Sequence, residues 1–243
     1  MEQTARLLDT IGGTVFTTGD NAYFTGSLRD FQTCYQPMWG RHKDRTRPVP
    51  GNHEYETDPT AAGYYQYFGP VAGPPGIGYY AYPLGDWHII ALNSAVAIGP
   101  GSPQGRFLAA DLAANTSKCT LAYFHHPLFT SGPNGRQMFT IELWRMLYDA
   151  GVDVIVNGHD HVYERFAPQT PDGVRDDARG IRQFTVGTGG AALYAFTTSA
   201  PNSERRIGNT FGVLKFTLMN DRYQWDFVPV PGGQTDTGSG TCH

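Results

Sequence analysis

Short apolar runs alternate with helix-like spacings along the first two thirds of the chain. Runs rich in β-branched and aromatic residues, flanked by Gly, Pro, Asn or Asp, predict strands. These predicted strands cover residues 13–18, 79–83, 87–93, 120–124, 152–157, 183–187, 211–218 and 223–228. Apolar residues three and four positions apart predict helices over residues 4–11, 27–35, 61–68, 104–114 and 137–150. Helices alternate with strands until about residue 160, and strands then dominate, which is typical of a layered α/β domain with an added antiparallel portion. No linker divides the chain, so we expect a single domain over residues 1–243.

Polar clusters follow several predicted strands at the point where each strand ends. GDNAY at residues 19–23 follows the run TVFTT, HHP at 125–127 follows TLAYF, and NGHDH at 157–161 follows VDVIV. A fourth cluster, GNHE at 51–54, follows a very short strand candidate at 48–50. Because loops at the carboxyl ends of strands form the ligand crevice of open α/β sheets, we expect the four clusters to share one rim.

These clusters contain side chains that bind transition metals. The candidate donors are Asp20, Tyr23, Asn52, His125, His159 and His161. The two histidines of NGHDH are one residue apart, a spacing that lets two imidazoles approach one ion at about 2 Å. Nitrogen and oxygen donors without thiolates suit Zn, Mn, Fe or Ni, and a tyrosine phenolate suits ferric iron. Six donors exceed a closed four-coordinate site and favour two ions about 3.5–4 Å apart, which can share a hydroxide.

The motifs GDNAY, GNHE, AYFHHP and NGHDHVYER resemble four of the five motifs of the purple-acid-phosphatase-like metallophosphoesterases, in that family's order. Tyr23 and the trailing residues 163–165 favour this branch over other calcineurin-like phosphoesterases. The stretch 186–190 and the strands of 211–228 resemble the closing elements of the family. The resemblance implies a four-layer αββα sandwich with its metal site at the strand ends. It also implies a metal-dependent phosphomonoesterase or phosphodiesterase that acts on a small phosphate ester.

The resemblance also implies a role for each donor. Asp20 corresponds to the carboxylate that bridges both ions, and Tyr23 and His161 to ligands of the first ion. The ligands implied for the second ion are Asn52, His125 and His159. The ion pair would be iron with zinc, manganese or a second iron. His53 resembles the residue that either protonates the leaving oxygen or stabilises the equatorial oxygens. His126 could serve the same pocket or exchange roles with His125.

Five further residues are candidates for supporting roles. Trp39, Tyr64 and Tyr65 could line a substrate pocket, although packing is the alternative for aromatic residues in a chain this rich in them. Glu164 and Arg165 are interpreted as a structural ion pair or as support that orients the histidine loop.

One motif of the family is not found. Its Asp-x-Gly motif, which follows an opening strand and gives the first ion a further carboxylate, has no counterpart before Gly19. We interpret this as the absence of an N-terminal piece, which would remove a central strand from one sheet and leave the occupancy of the first ion open. The alternative function is therefore a catalytically impaired metal-binding or ligand-binding domain.

Composition excludes several other classes. The net charge of −4 offers no basic footprint for a nucleic acid, and no apolar run reaches the roughly 18 residues of a membrane span. Three cysteines without a CxxC pair make a Cys-rich zinc site improbable. Cys242 could pair with Cys34 or with a residue outside this sequence. Residues 1–10 lack the apolar stretch of a signal peptide. The family resemblance implies a secreted or periplasmic mature chain, with cytosolic residence as the alternative.

Overall fold

A computed structural model describes residues 1–243 as a mixed α/β protein, which confirms the fold class expected from the sequence. The twelve strands are β1 (Val15–Thr18), β2 (Thr46–Val49), β3 (Tyr80–Leu84), β4 (Trp87–Ala91), β5 (Cys119–Tyr123), β6 (Val154–Asn157), β7 (Tyr163–Phe166), β8 (Arg182–Val186), β9 (Ser203–Ile207), β10 (Gly212–Met219), β11 (Arg222–Pro229) and β12 (Asp236–Thr241). The α-helices are α1 (Glu2–Thr10), α2 (Leu28–Asp30, continued by a π-helical turn over Phe31–Tyr35), α3 (Ala62–Phe68), α4 (Pro103–Ala114) and α5 (Ile141–Asp149). None of these helices combines the length and the apolar character that crossing a bilayer requires.

The largest sheet has seven strands in the order β3-β4-β5-β6-β8-β7-β9. Strands β4, β5, β6 and β8 pair in parallel, and the strands at both sides of this block pair antiparallel. β5 and β6 are buried along their whole length, which explains why their sequences are nearly continuous apolar runs rather than alternating ones.

Both faces of this sheet are covered. Helices α4 and α5 pack on one face, where Leu108, Trp144 and Leu147 meet the apolar side chains of the sheet. The antiparallel sheet β10-β11-β12 packs on the other face through Trp225 and Phe227. Helix α1 packs against β10 on the far side of that second sheet. The order of layers is therefore helix, sheet, sheet, helix, as the sequence resemblance implied.

The second layer of sheet is interrupted. Parallel strands β1 and β2 form a separate two-stranded sheet, so β1 and β10 each have one edge without a neighbouring strand. Strands β1 and β10 line one cavity of about 480 Å³, together with side chains from α1 and the seven-stranded sheet.

Three strands were not predicted from the sequence, namely β7, β9 and β12. Strand β12 has the sequence DTGSGT, which carries no apolar alternation. Its glycines lie against the aromatic side chains of β11, and a Cβ atom on Gly238 would lie 2.2 Å from the ring of Trp225. Close packing on those rings thus requires small residues in β12 and hides its strand pattern.

A disulfide joins Cys119, at the start of β5, to Cys242 near the carboxyl end. Cys34 is exposed and unpaired, so the suggested pairing of Cys34 with Cys242 is wrong. The sequence offered no basis for choosing the partner, because the two bonded residues are 123 positions apart.

Replacing Cys242 with serine is expected to lower the free energy of unfolding by about 2–5 kcal/mol, since a long loop in the unfolded chain is no longer closed. Urea denaturation of the two proteins measures the difference. The matched control Cys34→Ser should change it by less than about 0.5 kcal/mol, as is usual for an exposed side chain. Equal stability of the Cys242→Ser variant and the wild type would contradict this role of the disulfide.

Candidate metal centre

Four loops meet at one rim of the molecule, each directly after a strand. Asp20 lies after β1, Asn52 after β2, His125 after β5, and His159 and His161 after β6. Within each sheet the two strands are parallel, so their carboxyl ends lie at the same edge. The contact between His125 Nε2 and Asn52 Oδ1 at 2.9 Å brings the two edges together. The structure thus brings together the donors that the sequence distributes over some 140 positions, a span given by the numbering of Asp20 and His161.

One group of donor atoms is formed by Asn52, His125 and His159. The Nε2 atom of His125 lies 2.9 Å from Oδ1 of Asn52 and 3.1 Å from Nδ1 of His159. His159 Nδ1 is also 3.1 Å from the same Asn52 oxygen. His125 donates its Nδ1–H to the carbonyl of Thr18 at 2.8 Å, so the lone pair of its Nε2 faces the group. Three lone-pair donors that converge in this way match the requirements of a cation.

A second group is formed by Tyr23 and His161. The Tyr23 hydroxyl lies 2.9 Å from His161 Nε2 and 3.3 Å from Oδ2 of Asp20. His161 donates its Nδ1–H to the carbonyl of Ala192 at 2.7 Å, which directs its Nε2 lone pair toward the group. The imidazole also stacks on the ring of Tyr194 at a centroid distance of 4.2 Å. Two contacts that the sequence did not indicate therefore fix the orientation of this histidine.

Asp20 connects the two groups, because the oxygen that contacts Tyr23 also lies 3.2 Å from His125 Nε2. Its other oxygen accepts the backbone N–H of His53 at 3.0 Å. Burial by itself raises the pKa of Asp20, but His125 and these hydrogen bonds hold the pKa below its ordinary value. The Asp20 carboxylate is thus ionised, and one of its oxygens contacts a side chain of each donor group.

Burial controls the other titratable groups at the centre. Burial and the neighbouring His125 lower the pKa of His159 to about 4 and that of His126 to about 2. Burial, together with Asp20 and Glu54, raises the pKa of Tyr23 well above its ordinary value. At neutral pH the imidazoles of His126 and His159 are therefore uncharged, and only a strongly acidic cation would convert the Tyr23 phenol to a phenolate.

The backbone is strained at two of the donors. Asp20 has φ of +51° and His159 has φ of +65°, in the left-handed region that residues with a Cβ atom rarely adopt. Gly51 leaves room for this geometry, since a Cβ atom there would lie 2.2 Å from Oδ1 of Asp20. Strain of this kind persists where the surrounding structure holds it in place, often at functional sites.

Glu54 holds two of the loops together. This fully buried carboxylate accepts the backbone N–H groups of Asp20 at 3.0 Å, Asn21 at 2.7 Å and Gly51 at 2.7 Å. Burial and the nearby Asp20 raise the pKa of Glu54. Sequence analysis placed Glu54 in the GNHE motif without a role, and the structure shows that it joins the loop after β1 to the loop after β2.

His53 and His126 lie beside the donors. His53 Nδ1 contacts the carbonyl of Phe24 at 2.6 Å and a carboxylate oxygen of Glu56 at 2.8 Å, and its Nε2 lies 4.0 Å from Asp20 Oδ2. His126 places its Nδ1 2.8 Å from the hydroxyl of Ser94, which also accepts the His126 backbone N–H at 3.1 Å. Ser94 lies in no motif, so its contact with His126 could not be predicted from the sequence.

The predicted substrate contact of Tyr64 is wrong. Tyr64 is fully buried in an aromatic cluster and donates its hydroxyl to the carbonyl of Pro48 at 3.0 Å. Trp39 donates its indole N–H to the hydroxyl of Thr4 at 3.2 Å and lines the cavity between β1 and β10. Tyr65 packs at the margin of the aromatic cluster. The packing alternative holds for Tyr64, and no hydrogen bond links the other two aromatics to the donors.

Glu164 and Arg165 do not form an ion pair with each other, so that interpretation is wrong. They are consecutive residues of β7, and their side chains point to opposite faces of the sheet. Arg165 pairs with Asp236 at 2.8 Å, whereas Glu164 accepts the backbone N–H of Ser131 at 2.8 Å. Neither side chain touches a donor atom, and the interpretation that they support the histidine loop stays a prediction.

The neutral imidazoles should make the metal-free protein sensitive to acid. An unfolded histidine titrates near pH 6.5, while the folded pKa values of His126 and His159 are about 2 and about 4. Between pH 6.5 and 4 the unfolded chain thus binds protons that the folded chain excludes, and stability falls as pH falls. The lowered pKa of Asp20 acts in the same direction at lower pH. The raised pKa values of His125 and of the buried carboxyl groups of Glu54, Asp153, Asp160 and Glu164 oppose it.

Urea midpoints measured in EDTA at several pH values test this expectation. On acidification the midpoint of the wild type should fall more, or rise less, than that of the His126→Gln variant, which lacks the imidazole that stays neutral in the folded state. An equal pH dependence of the two midpoints would contradict the assignment of a neutral His126.

Comparisons with known proteins agree with this geometry. A family model described as calcineurin-like phosphoesterase matches residues 2–163. Purple acid phosphatase 21 of Arabidopsis thaliana is 30% identical over an alignment that covers 92% of this chain and 56% of that protein. Probable purple acid phosphatase 20 of the same plant is 28% identical, over 66% of this chain and 43% of its own length.

Two solved structures share the fold. Purple acid phosphatase PPD1 from seeds of yellow lupin (Lupinus luteus) has a TM-score of 0.79 at 20% identity, covering 98% of this chain and 48% of that one. GAP50, described as the anchor in the inner membrane complex of Plasmodium, has a TM-score of 0.73 at 14% identity, covering 100% of this chain and 84% of that one. The chain spans about half the length of the curated relatives it matches. With the family model matching more than half of its residues, the chain belongs to the calcineurin-like phosphoesterase family, and its relatives there are purple acid phosphatases.

Proposed function

We propose that this chain hydrolyses phosphoric esters at a centre that holds two metal ions. The observation that supports the proposal most strongly is the position of Asp20 Oδ2, which lies 3.2 Å from His125 Nε2 and 3.3 Å from the Tyr23 hydroxyl. One carboxylate oxygen thus contacts both donor groups, as a bridging ligand of two cations would. Membership of the phosphoesterase family supports the reaction class.

The donor chemistry fits a mixed pair of ions. The group of Asn52, His125 and His159 suits zinc, manganese or ferrous iron, and the phenol of Tyr23 suits ferric iron. When bound, such cations supply Lewis acidity, which lowers the pKa of water from 15.7 to about 7 and so provides a nucleophile at neutral pH.

His126 would bind the phosphate, and His53 would protonate the leaving group. Because the Ser94 hydroxyl accepts the backbone N–H of His126, its own hydrogen is free to donate to His126 Nδ1. His126 then carries its proton on Nε2 and can donate a hydrogen bond to a phosphate oxygen while staying neutral. His53 has its Nδ1 occupied by Phe24 and Glu56, which leaves Nε2 to protonate the departing oxygen.

We further propose that residues 1–243 act as one domain in an oxidising compartment. The disulfide between Cys119 and Cys242 supports this location, since such bonds persist mainly in secreted and periplasmic proteins. Its substrates would be small phosphate esters, as in the family.

A metal-binding domain without catalysis is the competing function, and the interrupted second sheet is the observation that favours it. The fold alone does not distinguish the enzyme from the metal-binding domain, because one fold serves catalytic and non-catalytic proteins.

Metal analysis with turnover assays separates the two functions. We expect two ions per chain and hydrolysis of phenyl phosphate that EDTA abolishes and added metal restores. A parallel assay with bis(p-nitrophenyl) phosphate distinguishes monoesterase from diesterase activity. One bound ion or none, without hydrolysis of either ester, would refute the proposed enzyme and favour the non-catalytic metal-binding or ligand-binding domain, as would two bound ions without hydrolysis.

A further inference from the structure

A second cavity, of about 420 Å³, opens beside the donor group. Asn52 and His126 form the wall next to the donors, and Tyr55, Val96 and Phe139 form much of the remainder. A phosphate held at Asn52 and His126 would therefore direct the group attached to it into this cavity. The cavity shares Asn52 and His126 with the proposed centre, and its apolar lining residues have no role in the proposed function as stated above.

The rim of the site is apolar on two sides. Only four large hydrophobic side chains of the protein are strongly exposed, namely Phe24, Met138, Phe139 and Val174. Phe139 is 51% exposed and packs edge-on against His126 at a centroid distance of 5.2 Å, with Met138 beside it in the chain. Phe24 is 78% exposed, and its carbonyl contacts His53. Exposed apolar side chains beside a polar site, such as the neighbouring Met138 and Phe139, are typical of binding surfaces.

The charge in the cavity is negative. Glu56 is the one charged side chain among the lining residues, and no lysine or arginine lines the cavity. Its carboxylate is half exposed and lies 2.8 Å from Nδ1 of His53. A leaving group that carries further phosphates would meet this carboxylate with no cation from the cavity wall to offset the repulsion.

We infer that the cavity selects phosphate monoesters whose leaving group is an uncharged aromatic alcohol, with the ring packed between Tyr55 and Phe139. This inference rests on the proposed function. In the reaction, the P–O bond to the aromatic alcohol breaks, water supplies the new oxygen on phosphorus, and a proton passes to the departing oxygen. The products are the aromatic alcohol and inorganic phosphate.

Benzyl phosphate and methyl phosphate provide the matched test, because both release a primary alcohol and differ chiefly in the ring. We expect kcat/KM for benzyl phosphate to exceed that for methyl phosphate by about tenfold or more, the range that apolar pocket contacts provide. In Phe139→Ala this ratio should fall about tenfold. The control Val174→Ala, which removes an exposed apolar side chain outside the cavity, should keep the wild-type ratio.

A second variant tests the effect of the negative charge in the cavity. Glu56→Lys should raise the ratio of kcat/KM for ATP to that for benzyl phosphate by at least about tenfold, because a cation replaces the carboxylate. Loss of the contact with His53 affects both substrates, so the ratio isolates the charge of the cavity. An unchanged ratio would contradict the inference, as would equal use of benzyl and methyl phosphate by the wild type.

A binding measurement tests the cavity separately from the proposed function. If the protein hydrolyses none of these esters, calorimetric titration with benzylphosphonate and methylphosphonate still decides whether the cavity binds the ring. Tighter binding of benzylphosphonate, lost in Phe139→Ala, would support the aromatic cavity without catalysis. Equal binding of the two phosphonates would overturn it.

Discussion

Replacing His159 with alanine is expected to reduce kcat/KM for phenyl phosphate by more than two orders of magnitude. Its Nδ1 lies 3.1 Å from both Asn52 Oδ1 and His125 Nε2, so its removal deletes one of three converging donors. Loss of a partner that only orients a ligand typically costs about 10- to 100-fold in affinity or activity, and loss of a ligand itself should cost more. Asn52→Ala should have a similar effect for the same reason.

The matched control is His88→Ala. His88 is a part-buried histidine of β4 that pairs with Asp111 at 2.6 Å, away from the donor loops. This variant should keep the wild-type kcat/KM, which separates loss of a donor from general loss of a histidine. Near-wild-type hydrolysis by His159→Ala, with a normal circular dichroism spectrum, would refute the ligand assignment.

Replacing Glu54 with alanine should lower the free energy of unfolding of the metal-free protein by about 3–5 kcal/mol, as for the loss of one partner of a buried charged network. Three backbone N–H groups, those of Asp20, Asn21 and Gly51, would lose their common acceptor in a buried position. Since Asp20 is held at positive φ, we also expect loss of metal binding. Urea denaturation and metal titration measure the two effects.

A conservative variant and a control variant accompany this measurement. Glu54→Gln keeps one acceptor oxygen and should be less destabilising than alanine. Glu142→Gln removes an exposed carboxylate that pairs with Arg145 and should change stability by less than about 1 kcal/mol. A Glu54→Ala protein as stable as Glu142→Gln would show that Glu54 does not hold the loops together.

The sequence predicted the donors because each lies in a motif that directly follows a strand. Strands β5 and β6 are buried throughout and nearly continuously apolar. The polar residues that follow them therefore mark the ends of these strands in the sequence. Neighbouring parallel strands then place His125 and His159 at one rim without further information.

The residues that the sequence did not indicate act through contacts between distant parts of the chain. Ser94 reaches His126 across 32 positions, and Tyr194 stacks on His161 from a loop without a motif. Tyr64 failed as a substrate contact because local sequence does not distinguish an aromatic side chain in a core from one at a surface. Such contacts depend on tertiary packing, which neither periodicity nor motif spacing encodes.

Anomalous diffraction from crystals grown with iron and zinc tests whether these side chains hold two metal ions. We expect two anomalous peaks, each about 2 Å from its nitrogen ligands and both adjacent to Asp20. One peak should lie among Asn52, His125 and His159, and the other beside Tyr23 and His161. Well-ordered crystals with no anomalous scatterer between these side chains would contradict the account.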